Sequence, residues 1–207
     1  MWRDLTEVRQ SLDAKTPHII DVRFSQFMAL HHRQAIAMSQ LLLDGQATGL
    51  SGLAKRIASS QLVELGEMQG WLRLWEQPFE PDLDDMTWML LGQQPYNDEL
   101  LQYLVDCGNA PEGMPGLATS EQLIQLRELT GIERDIQYLR LMLAHHEGGL
   151  PMARFASEEA TLPPVRRLAR QIVLDQAREI QQFTHMLNQV QPVATDRALQ
   201  DASEPTL

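Results

Sequence analysis

The chain has almost no cysteine. Cys107 is the single one, so an internal disulfide framework and a cysteine-rich zinc site are both excluded. Nowhere do about 18 apolar residues run together, so no segment reads as a membrane-spanning helix. Basic residues are scarce: 17 Lys and Arg against 28 Asp and Glu give a formal charge of -11, and no basic block offsets it. Such a chain repels nucleic acid and anionic membrane at long range and draws cations toward it. A P-loop, a dinucleotide-binding glycine fingerprint and a Ser-His-Asp ordering are also missing, which leaves nucleotide and hydrolase readings without support. The opening MWRDLTEVRQSLDAK lacks the apolar core of a signal peptide. The expected location is therefore cytoplasmic if Met1 is native, and extracytoplasmic (periplasmic or secreted) if a leader was trimmed.

What is present is repetition. Residues 21–38 written above 135–152 align Asp21 with Asp135, Met28 with Met142, His31-His32 with His145-His146 and Met38 with Met152, all at one offset. One extra residue then enters the second copy, after which Leu53-Ala54, Ile57, Gln61 and Glu64 fall on Leu168-Ala169, Ile172, Gln176 and Glu179. Each copy reads as two helices, because its apolar residues recur at three and four. The first helix is expected to open at Thr16-Pro17 and close at Asp44-Gly45. The second runs from Ser51 to before Pro78, the third from Thr130-Gly131 to about Ala160, and the fourth from Pro163-Pro164 to about Val190. Between the copies (about 19–76 and 131–190) lies a crossover, 78–119, rich in proline and glycine turns, with one short helix expected at 98–106. Ser120 is expected to cap a further short helix. The expected organisation is a single bundle domain over 1–192 followed by a polar, disordered tail, 193–207.

On the first helix Asp21, Phe24, Met28, His31, Ala35 and Met38 share one face, and His32 sits about 100° round from His31, at its edge. On the second, Leu53, Ile57, Gln61, Glu64, Met68 and Trp71 share a face, so Gln61 and Glu64 stand where a core expects Leu. Folding each hairpin about its loop puts His31 opposite Gln61 and Met28 opposite Glu64. The same operation in the second copy puts His145 opposite Gln176 and Met142 opposite Glu179. Buried imidazoles and carboxylates must be paired, hydrogen-bonded or metal-bound. Imidazole suits copper, zinc, nickel and iron, and thioether selects Cu(I). The bland alternative is a His-Gln-Glu layer that only fixes helix register, with methionines as core filler. On that view Asp21 and Asp135 are first-turn acids favoured by the helix dipole, His18 and His185 are surface residues, and Met86, Trp88 and Met89 anchor the crossover.

The phrases DVRFSQFMALHHRQAIAM with QLVELGEMQGWL, and DIQYLRLMLAHHEGGLPM with QAREIQQFTHML, resemble the bacterial family called domain of unknown function 305 over about residues 19–190. The resemblance implies an all-α, ferritin-like four-helix bundle made of two pseudo-symmetric hairpins with a long crossover. It implies an exported location and, for some members, copper binding and copper tolerance. Carried over by position, the implied metal ligands are Met28, His31, His32, Met38, Met142, His145, His146 and Met152, with Glu64 and Glu179 as partners on the second helix of each pair. The expected function is copper sequestration or transfer, with zinc or iron as other possible ions. A structural or partner-binding bundle is the alternative. A metalloenzyme is disfavoured, because the Glu-x-x-His pairs of di-iron bundles are absent from the core helices. The expected partner is a metal ion, with no nucleic acid and no membrane insertion. Pro151 inside the third long helix and Phe183 in place of Met68 depart from the repeat.

Overall fold

The structure is a computed structural model that describes residues 16–81 and 86–201, with side chains described through Val190. Among the described residues it is all-helical, without strands. Four long helices, α1 (Ile19–Leu42), α2 (Ser51–Leu74), α5 (Gly131–Glu159) and α6 (Pro163–Asp201), form the bundle. Between α2 and α5 lie a short 3-10 helix (Met86–Leu91), α3 (Asp98–Asn109) and α4 (Ser120–Glu128). The hairpins α1–α2 and α5–α6 make the most extensive contacts, and α1 crosses α5 to join them.

Helix starts follow local chemistry. α1 begins later than Thr16-Pro17 predicts, because Asp21 completes a capping box with His18: the His18 N–H donates to the Asp21 carboxylate at 2.8 Å and the imidazole accepts from the Ile20 N–H. His18 is exposed, as expected, but it is a cap. α4 is capped one residue earlier than expected, by Thr119 with Gln122. α3 extends three residues past the expected end. α6 does not stop near Val190; residues 193–201, expected to be disordered, continue the helix through Asp201. Ala194, Ala198, Leu199 and Gln200 are helix formers, and they outweigh the break expected at Pro192. Residues 202–207 of the expected tail lie outside the described residues. α5 runs unbroken across Pro151.

The buried apolar residues form two clusters. One joins the N-terminal half of α1 and the C-terminal half of α2 to the C-terminal half of α5 and the start of α6, with Met86, Trp88 and Met89 anchoring the crossover to it. The other joins the complementary halves, from Ala35 through Ile57 and from Tyr138 to Leu187. Each fully buried large side chain, such as Phe24, Met38 or Phe183, contributes about 1.5–3 kcal/mol.

Polar clasps fix how the hairpins meet. The Asp21 carboxylate accepts from the Thr161 hydroxyl at 2.5 Å and the Leu162 N–H at 2.9 Å. The Asp135 carboxylate accepts from the Thr48 hydroxyl at 2.5 Å and the Gly49 N–H at 2.9 Å. Each acid at the start of one hairpin thus grips the loop of the other, a larger role than a dipole partner. Arg134, fully buried, donates to the Leu41 and Leu126 carbonyls and to the Asp44 carboxylate, which it holds below the usual carboxylate range. Gln34 pairs twice with the Ala118 backbone, fastening the crossover to α1.

Asp21→Ala and Asp135→Ala should each destabilise the protein by roughly 1–3 kcal/mol, the cost of leaving buried donors unmatched. The clasps share no partner, so the double variant should show close to the sum. Urea denaturation is the check; a variant as stable as the parent would remove the clasp from the account.

Candidate metal centre

A polar layer separates the two apolar clusters. It is built from His31 and His32 on α1, Gln61 and Glu64 on α2, His145 and His146 on α5, and Gln176 and Glu179 on α6. All of these but Glu179 are buried.

The hairpin pairing differs by about one turn from the expected one. Glu64 pairs with His32: its Oε2 lies 2.6 Å from His32 Nε2, and Glu179 Oε2 lies 2.6 Å from His146 Nε2. The reason is that α1 is buried on more than one side. Ser25, Gln26, Ala29 and Ile36 are covered as well as the stripe through Met28. Adjacent histidines, about 100° apart, therefore serve different neighbours. His32 faces α2, and His31 faces α5. The same division holds for His146 and His145.

At the crossing of α1 and α5 the His31 and His145 rings lie with centroids 3.6 Å apart, tilted by 35°. Gly149 makes this possible, since a Cβ there would sit 2.6 Å from His31 Cε1. Behind it, the crossover loop rests on α5. A Cβ on Gly148 would lie 2.0 Å from the Pro115 carbonyl oxygen, one on Gly116 2.2 Å from that of Ala144, and the Tyr103 hydroxyl donates to the Gly148 carbonyl at 3.0 Å. Burial, and then the neighbouring imidazoles, hold both His31 and His145 well below the usual histidine range. Both rings are therefore neutral, the protonation state that ligates metal.

The hydrogen bonds define which nitrogens remain open. A carboxylate only accepts, so the Nε2 of His32 and of His146 carries a proton toward it; in the tautomer with that single proton, Nδ1 keeps a lone pair. His145 Nε2 donates to the His31 carbonyl at 3.0 Å, which also leaves Nδ1 open. The Nδ1 atoms of His32, His145 and His146, both nitrogens of His31 and both amide ends of Gln61 and Gln176 are buried without a partner. Among the described residues, the Trp88 indole nitrogen is the only other buried side-chain N or O in that condition. A buried polar group left unmatched costs about 1–3 kcal/mol, so their concentration in one layer requires a reason.

The sequence-derived ligands are thus brought together in part. His31, His32, His145 and His146 share the layer. Glu64 and Glu179 bind imidazoles, where they fix ring orientation and tautomer. Met28, Met68 and Met152 are fully buried in the first apolar cluster, and Met38 and Met142 in the second, on either side of the layer. His185 is exposed, as expected. Among the described residues, no three His, Cys, Asp or Glu side chains converge as a ready-made ligand set. Sequence reasoning missed the His31–His145 contact, for which the glycine opposite Ala35 in the repeat alignment was the available signal. It also missed Arg134, for which there was none.

The model of the family described as domain of unknown function (DUF305) matches residues 21–187. The chain belongs to the DUF305 family. Among solved structures it is similar to a DUF305 protein from Streptomyces coelicolor that is regarded as secreted, at 33% identity over 82% of this chain and 93% of that one, with a TM-score of 0.69. A DUF305 fragment from Deinococcus radiodurans is 28% identical over 84% and 98% of the two chains, with a TM-score of 0.62. CopM in its Cu(II)-bound form shares the fold at 22% identity over 82% and 96%, with a TM-score of 0.58. CopM has also been solved with Cu(I) and with Ag. None of the curated proteins matches the chain.

Two outcomes are expected of the metal-free protein. Glu64→Ala should cost roughly 1–3 kcal/mol, because it leaves the buried His32 N–H without an acceptor, and Glu64→Gln less, because the amide keeps the shape and one acceptor. The corresponding Glu179 variants should cost less than their Glu64 counterparts, since that side chain is 24% exposed against 11%. Denaturant titration checks both; equal stability of Glu64→Ala and parent would dissolve the pair. The second outcome concerns pH. Folded His31 and His145 stay neutral, while the unfolded chain protonates them below about pH 6.5, so it binds more protons there. Stability should therefore be full above that pH and fall below it, by up to about 1.4 kcal/mol per unit for each ring. Replacing both rings by Leu should flatten that part of the profile; an unchanged slope would mean the rings titrate freely.

Proposed function

We propose that this DUF305 protein binds a soft or borderline metal ion, copper first, in its polar layer, and holds or passes on the ion. One observation carries the reading: the buried, unpartnered nitrogens gathered on four histidines at the bundle's centre. A layer that served only to fix helix register would be fully hydrogen-bonded, because a half-satisfied buried network is worse than an apolar one. Here the carboxylates occupy one nitrogen of His32 and of His146 and leave the other without a partner. Such a carboxylate–histidine pairing raises ligand basicity and aims the ring at an ion.

In this reading the ligands are His32 and His146 through Nδ1, with His31 and His145 between them and thioethers from Met28, Met38, Met142 and Met152 in reserve. Glu64 and Glu179 act as positioning residues. Neutral imidazole and thioether are poor partners for Mg(II) and Ca(II), which want six or more oxygens. The CopM structures with Cu(I), Cu(II) and Ag support copper as the first ion to try, on a shared fold. Sequestration or transfer fits better than catalysis, since the four histidines are fully buried. An extracytoplasmic location is in keeping with the Streptomyces relative. Among the described residues no helix is long and apolar enough to cross a membrane.

Calorimetric titration with Cu(II) in air and Cu(I) under anaerobic, reducing conditions tests the reading. Saturable binding is expected, stronger than for Mg(II) or Ca(II), together with a raised melting temperature, because a ligand specific to the native state stabilises it. His31→Ala with His32→Ala should remove part of that shift, and adding His145→Ala and His146→Ala the rest. No saturable binding by the parent, or undiminished binding by the four-histidine variant, would leave the layer as a packing device.

A further inference from the structure

We propose that the two halves of the layer take different ions: the His32 half, beside Met68, holds a soft monovalent ion, and the His146 half, beside Phe183, holds a borderline divalent one. This rests on the metal-binding reading above and adds a specificity residue to it.

The halves match in their imidazole–carboxylate pairs, each 2.6 Å long. They differ one turn further along the helix that supplies the carboxylate. Phe183 follows Glu179 by four residues, and its ring lies 5.2 Å from that of His146, nearly perpendicular at 78°. In the second half the position four beyond the carboxylate thus reaches the imidazole that the carboxylate holds, and the repeat puts Met68 at the equivalent position of the first. Met68 occupies the same position relative to Glu64, is fully buried, and shares its cluster with Met28 and Met152. Met28 lies one turn before His32, as Met142 lies one turn before His146. The first half therefore offers His32 Nδ1 with two thioethers within a helical turn of the imidazole–carboxylate pair, Met28 and Met68. The second offers His146 Nδ1 with one, Met142, and an aromatic wall.

Two physical effects separate ions on this difference. Thioethers favour soft monovalent ions such as Cu(I), whereas imidazole with oxygen donors suits divalent ones. Burial adds to this, because the cost of desolvating an ion rises with the square of its charge. The Glu64 side chain is 11% exposed and that of Glu179 24%, so the first half is the drier and penalises a divalent ion more. At the wetter half a divalent ion can keep water as its oxygen donor.

Silver(I), a soft monovalent ion that does not change oxidation state, and Zn(II) are suitable probes. Each is titrated calorimetrically into metal-free protein, with circular dichroism to confirm folding. The parent should take one Ag(I) tightly. Met68→Leu, close in volume, should weaken that binding by about tenfold or more and leave Zn(II) binding unchanged. Phe183→Met should add a second tight Ag(I). If the parent binds neither ion, the metal-binding reading fails and this inference with it. If the parent binds Ag(I) but Met68→Leu binds it as tightly, or Phe183→Met gains no second ion, the inference fails and the reading stands.

Discussion

At the crossing of α1 and α5 two imidazole rings face each other at 3.6 Å, and both are held well below the usual histidine range. Burial opposes the charged form, and so does the neighbouring ring. Much of the centre follows from that constraint. Each buried N–H needs an acceptor, and the fold supplies acceptors sparingly: one carboxylate for His32, one for His146, and one backbone carbonyl for His145. His31 receives none. What remains is a set of buried nitrogens that the chain itself does not satisfy.

The surrounding scaffold holds that crossing in place. Gly149 gives His31 its room, and Gly148 lets the crossover loop lie directly on α5. The two aspartate clasps lock each hairpin's loop to the start of the other, so α1 and α5 cannot slide without breaking hydrogen bonds at both ends. Arg134 ties the ends of α1 and α4 together. The apolar clusters on either side of the layer supply the burial that keeps the imidazoles neutral and the thioethers dry.

Much of this was legible from residue order. The repeat and its three–four spacing identify the long helices to within a few residues at most ends, and the His, Gln and Glu on apolar stripes identify the layer. The pairing across it was less legible. Sequence periodicity assigns one inward face per helix, and α1 has several, so His32 was placed at an edge when it faces α2 squarely. The clasps depend on Thr48 and Thr161, which lie in loops of different length and fall out of register in the repeat alignment. Arg134 has no counterpart in the first copy, so nothing in the repeat marks it. The α6 overrun reflects helix-forming composition beyond a proline that reads as a stop.

If the unmatched nitrogens exist to receive an ion, the imidazole protons themselves report it. Histidine nitrogen NMR of the metal-free protein, followed by Ag(I) to saturation, is the most direct measurement. The account predicts that His32 keeps its proton on Nε2, against Glu64, while its Nδ1 resonance moves into the range of a metal-bound nitrogen. Silver bound at saturation with Nδ1 unchanged on all four buried histidines would contradict it.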